Sequence, residues 1–126
     1  MMLSNENAVF DRSKRFAIRI VRLYRHLADS QSEYIMSKQV LRSGTSIGAN
    51  IAEALKAFST PDFIYKFQIA LKEAAETAYW LELLYETDYI DEASYQSIQA
   101  DCDEITALLT SILKSLKAKQ SVANHS

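Results

Sequence analysis

The sequence predicts an all-α protein, an antiparallel up-down-up-down four-helix bundle. Three observations carry that expectation. The chain has only two glycines and one proline in 126 residues, too few for the turns that hairpins, sandwiches and parallel sheets require. It is rich in Ala, Leu, Glu, Lys and Gln, the residues that lose least on entering a helix. Its apolar residues recur at helical spacing in four long segments, and the short connectors between them make neighbours antiparallel. With 48% hydrophobic and 24% charged residues, one domain can bury a substantial core.

The first helix is expected from Ala8 to Asp29, with Phe10, Ala17, Ile20, Tyr24 and Leu27 on one face and Phe16 and Leu23 beside them. Asp29-Ser30-Gln31-Ser32 connects it to the second helix, Glu33 to Phe58, which Ser32 is placed to cap. Ser59 caps the third, where Pro61 takes the first helical position and its missing N–H costs nothing. That helix, Pro61 to Glu86, aligns Phe63, Phe67, Ala70, Ala74, Leu81 and Tyr85. Thr87 to Ile90 turn the chain and Asp91 caps the fourth helix, with Ile90 and Tyr95 spaced as a hydrophobic staple around the cap. Helix four sets Ile98, Cys102, Ile105, Leu109, Ile112 and Leu116 on one face and is expected to end near Lys117. The bundle so read spans residues 1–117, and the polar tail, residues 118–126, is expected to fray. The sequon Asn124-His125-Ser126 reads as chance in a chain of this kind.

Both glycines fall in RSGTSIGANIAEA, Arg42 to Ala54, which at first sight resembles a phosphate-cradling loop. The periodicity argues otherwise. Val40, Leu41, Gly44, Ile47, Gly48, Ile51 and Leu55 fall on one helical arc with Gly44 near its centre. No Gly-Lys-Ser/Thr follows the second glycine and no strand precedes the first, so the Walker pattern fails. Gly44 and Gly48 therefore read as a seam where another helix backbone approaches closely, at about 1 kcal/mol of helix propensity each. Ser43, Ser46 and Asn50 flank them, with hydrogen bonding across a helix contact as the expected role.

At these residues the sequence resembles the four-helix-bundle family also called 23S rRNA intervening-sequence proteins. FDRSKRFAIRIVRLYRHL is similar to the family's first helix, SKQVLRSGTSIGANIAEAL to its second, and TPDFIYKFQIALKEAAETAYWLELL to its third. The resemblance covers most of the chain. It implies a homopentamer of antiparallel bundles arranged as a barrel around a central channel, with no enzymatic activity. Some relatives are encoded within intervening sequences of bacterial 23S rRNA genes. Distant ones are nucleic-acid-binding accessory proteins to the reverse transcriptase of diversity-generating retroelements. RNA or DNA, and a nucleic-acid enzyme such as a reverse transcriptase, are thus the partners it implies besides the chain itself.

Read on its own, helix three also asks for a partner. Beside its main stripe runs a second one of Tyr65, Ile69, Tyr79, Trp80 and Leu83, where a peripheral bundle helix should present charge. Tyr and Trp are residue types that interface centres favour. The alternative is that these rings lie along the bundle's own edge.

Charge is asymmetric along the chain. Through Phe58 there are nine bases against five acids, roughly +4, so the remainder carries about -6 to reach the net -2. Arg12, Arg15, Arg19, Arg22 and His26 form a basic stripe opposite the apolar face of helix one. Such a stripe suits phosphates, because the guanidinium fork binds two oxygens at once. It equally suits ion pairs with acidic faces such as Asp101, Asp103 and Glu104.

Catalysis has little to stand on. No nucleophile has a visible base, and two histidines with one cysteine do not make a metal site. Di-metal bundles need Glu-x-x-His on two helices, and none occurs. No catalytic, metal-ligating or cofactor-binding residue is therefore expected. A lone cysteine, no signal-like opening in MMLSNENAVF and no membrane-length apolar run place the expected protein in the cytoplasm, away from any membrane.

Overall fold

The computed structural model describes residues 4–125. Residues 1–3 and Ser126, parts of the expected bundle and tail, lie outside them. The helices are α1, Ser4–Arg25, α2, Met36–Ala54, α3, Thr60–Glu86, and α4, Glu92–His125. Each packs on its neighbours in chain order, and α4 closes the ring against α1. Among the described residues, no helix is long and apolar enough to cross a membrane.

α1 gives way at its C-terminal end to a single π-helical turn, His26–Ser30. Such wide turns are rare and local. Ser32 does not cap the next helix. It sits in the left-handed region at φ 54°, whereas a cap residue needs extended backbone. Glu33 takes over the task. Its carboxylate accepts from the backbone N–H groups of Ile35, Met36 and Ser37 at 3.3, 3.2 and 2.7 Å, which moves the start of α2 to Met36. The buried carboxylate thus meets orphan donors at the positive end of the helix.

α2 ends at Ala54, short of the expected Phe58, while the starts of the next two helices follow the sequence. Ser59 accepts from the Asp62 N–H at 3.2 Å with Pro61 in the first turn of α3. Asp91 accepts from the Ser94 N–H at 2.7 Å and opens α4. α4 does not stop near Lys117 but continues to His125, because nothing from Ala118 onward breaks a helix.

The core is built from Val9, Phe16 and Ile20 of α1, Leu27 of the π turn, Val40, Ile47 and Ile51 of α2, Phe67, Leu81 and Leu84 of α3, and Cys102, Ile105 and Leu109 of α4. α1 is rolled slightly from the expected face. Its buried line passes through Val9, Ser13, Phe16 and Ile20, leaving Phe10, Ala17 and Tyr24 only half-buried. The cause lies across the α1–α2 seam. A Cβ on Gly44 would stand 2.8 and 2.9 Å from Ile20 Cγ1 and Cγ2, closer than packed carbons approach. A Cβ on Gly48 would stand 3.3 Å from Ser13 Oγ, whose hydrogen is donated to the Phe10 carbonyl at 2.8 Å. Gly48 faces the Ser13 backbone, as a close backbone approach requires, whereas Gly44 makes room for the Ile20 side chain.

Gly44→Leu should therefore destabilise the fold by about 1–3 kcal/mol or more through overpacking against Ile20. Urea denaturation followed by circular dichroism measures it, and a variant as stable as the parent would contradict the close contact.

Candidate functional site

The five basic positions of α1 divide into two sets. Arg12 pairs with Glu104 of α4. Arg19 reaches Asp101 at 2.6 Å and donates to the carbonyl and Oγ of Ser97 at 3.3 and 3.0 Å. Arg15 and Arg22 have no ion-pair partner among the described residues. Asp103, the third candidate acid, accepts instead from Gln99 of its own helix at 3.2 Å. The division follows from helix geometry. Arg12 and Arg19 lie seven residues apart and share one direction beside the buried line, and Arg15 and Arg22 share another, farther round. The two formed pairs are more than a third exposed at each partner, so solvent leaves each worth about 1 kcal/mol or less.

His26 begins the π turn and is held by Gln31. The Gln31 amide nitrogen donates to the Tyr89 carbonyl at 2.7 Å and lies 3.0 Å from His26 Nε2. Two cavities follow the α1–α4 seam beneath the stripe, of about 540 and 260 Å³. Asp91 lies on the larger one, and the N–H it accepts from Ser94 holds its carboxyl below the usual range.

Beside the glycines the polar residues do three different things. Ser43 is buried and hydrogen-bonds at 2.9 Å with the Thr77 hydroxyl of α3, a bond across a helix contact. Ser46 and Asn50 do not cross. Ser46 donates to the Arg42 carbonyl at 2.6 Å and Asn50 to the Ser46 carbonyl at 2.8 Å, both within α2. Their short side chains reach their own preceding turn more easily than a neighbouring helix.

On α3, Tyr65 and Tyr79 are 58% and 59% exposed, while Ile69, Trp80 and Leu83 are half-buried. Trp80 packs partly on the core, meets Tyr79 edge-on at 5.1 Å and donates Nε1–H to Glu76 at 3.2 Å. Glu76 also pairs with Arg42, which reaches Glu73 at 3.0 Å. The second stripe is thus real but carries one tethered carboxylate that the apolar pattern did not register.

A model of the 23S rRNA-intervening sequence protein family matches residues 5–111. The chain belongs to this family. A crystal structure of a protein with unknown function from the S23 ribosomal protein family of Bacteroides thetaiotaomicron VPI-5482 is similar to it. The identity is 59%, over 87% of this chain and 98% of that one, with a TM-score of 0.86. No curated protein matches the chain. The family segment takes in α1, α2, α3 and most of α4, so the stripe, the glycine seam and the α3 face all lie within it.

Cys102, the single thiol, is buried between α3 and α4 and donates weakly to the Ala74 carbonyl at 3.5 Å. Burial first, then the nearby charge of Asp103, pushes it up to about 12. Only thiolate reacts readily, so native protein at pH 8 should resist Ellman's reagent and label stoichiometrically in denaturant. Fast labelling of folded protein would show that the α3–α4 seam opens.

Proposed function

We infer that this member of the 23S rRNA-intervening sequence protein family is a non-enzymatic scaffold that assembles with copies of itself, in the pentameric form its resemblance implies. The observation that carries this reading is the outer face of α3, where two tyrosines stand more than half exposed above half-buried Ile69, Trp80 and Leu83. An isolated bundle is better served by polar residues there, and contiguous apolar surface rimmed by charge is what self-association uses. Tyr and Trp supply large contact area for few rotatable bonds, which makes them effective at the centre of an interface. No reaction is assigned, since the one thiol is buried and the arginines face carboxylates or solvent.

Tyr65 and Tyr79 project enough that charge can be added without unfolding the bundle. Tyr65→Glu combined with Tyr79→Glu should give smaller species in sedimentation velocity while helicity and melting stay near those of the parent. A parent that sediments as a monomer at micromolar concentration would sink the assembly reading.

The unpaired Arg15 and Arg22 favour a second reading, in which the assembled protein holds RNA or DNA, in the cytoplasm and alongside a nucleic-acid enzyme such as a reverse transcriptase. Several copies would add their weak phosphate contacts by avidity. Replacing Arg15 and Arg22 with alanine should then weaken binding alike across sequences. The log–log salt slope should fall by roughly one unit for each lost phosphate contact. Fluorescence anisotropy against structured RNA at two salt concentrations measures both, and unchanged affinity would remove the stripe from this role.

A further inference from the structure

The larger α1–α4 cavity, about 540 Å³, falls within the size range of small-molecule sites. Its floor is apolar, made by Leu23 of α1, Ile90 of the α3–α4 connector and Ile98 of α4. Hydrogen bonds tie its two ends. At one, Gln31 bridges to the Tyr89 carbonyl at 2.7 Å. At the other, Arg19 is clasped by Asp101 and Ser97. The walls are thus braced before any ligand arrives, which lowers the cost of binding.

The polar groups on these walls are not equivalent. Arg19 is committed to Asp101, His26 Nε2 to Gln31, and the Asp91 carboxylate to the Ser94 N–H. Arg22 is the one guanidinium of the lining with no ion-pair partner among the described residues. A planar fork beside an apolar floor recognises a carboxylate whose organic body covers that floor. Asp88 and Asp91 also line the cavity, so a ligand with several negative charges would meet repulsion there.

The geometry points to a binding site for a small organic monocarboxylate, its carboxylate on Arg22 and its apolar body over Leu23, Ile90 and Ile98. The site depends on neither self-assembly nor nucleic-acid binding. It selects a single charge, which separates it from a phosphate-tracking surface.

The probe is 3-phenylpropionate, titrated into the full chain by isothermal calorimetry and by amide chemical-shift mapping. Its neutral analogue 3-phenylpropanol and the polyanion ATP serve as controls. Saturable binding should appear, with shifts concentrated at Gln31, Tyr89 and Ser94, and about tenfold or more tighter than for the alcohol. ATP should not produce those shifts. Arg22→Gln, an exposed change that leaves the core intact, should erase the advantage of the acid over the alcohol. The proposal is overturned by any of four results. These are no saturation by roughly 10 mM, equal affinity for acid and alcohol, an unchanged acid affinity in Arg22→Gln, or shifts centred elsewhere.

Discussion

The close approach of α1 to α2 at Gly44 is the constraint on which the rest of the structure depends. Ile20 occupies the space that any side chain at position 44 would need, and one turn on a Cβ at Gly48 would stand 3.3 Å from Ser13 Oγ, a tight contact though a looser one. Two helices seated this tightly have little freedom to roll. The seat turns the line Val9–Ser13–Phe16–Ile20 inward, and every other direction on α1 follows from that. Arg12 and Arg19 come to lie over α4 within reach of Glu104 and Asp101, whereas Arg15 and Arg22 border the α1–α4 clefts with no ion-pair partner among the described residues. A helix contact made without side chains on one partner thus decides which arginines remain available for anything outside the subunit.

Much of this was legible because the signals were local. Ser59 with Pro61, and Asp91 with Ser94, are caps whose chemistry is written within four residues, and both bonds form. The glycine arc was equally readable, since spacing alone separates a helix from a phosphate loop. What escaped depended on partners distant in sequence. Ser13 breaks the apolar pattern of α1, and only the gap left by Gly48 explains its burial. Ser32 resembles a cap by residue type, but the π turn before it delivers the chain in a left-handed conformation and passes the role to Glu33. The stripe of five basic residues was visible, yet its division in two rests on the roll of α1 against α4, which no spacing rule encodes. The cavity beneath it combines α1, a connector and the start of α4, so no single segment announces it.

The charge asymmetry takes a different meaning once the pairs are placed. Arg12–Glu104 and Arg19–Asp101 join α1 to α4, Arg42 joins α2 to Glu73 and Glu76 of α3, and Lys66 of α3 meets Glu53 of α2 at 3.2 Å. Four of these five pairs set a base of the first half against an acid of the second, across the seams where exposed helix edges meet, and Lys66–Glu53 reverses the signs. These are weak bonds singly, but their signs are complementary in one register of the bundle. A helix slid by one turn would set like charges together or leave them unmatched, so the pairs favour the observed alignment of neighbours more than they add to its depth.

That use of charge bears on how copies can meet. Among the described residues, internal pairing leaves Lys14, Arg15, Arg22, Arg25, Lys38 and Lys56 of the first half without ion pairs, and on the second half Asp62, Glu82, Glu86, Asp88, Asp91, Glu92 and Asp103 beside Lys72, Lys114, Lys117 and Lys119. Glu82 and Glu86 flank the aromatic face of α3 in sequence. A two-fold contact that set this face against itself would bring carboxylates toward carboxylates, a repulsion that salt only partly screens. Seating the same face on a neighbour's α1–α2 side would instead set acid against base. Such a contact is heterologous, and a heterologous contact that closes makes a ring. The same asymmetry that suits a polyanion is therefore equally suited to a protein that recognises its own other half.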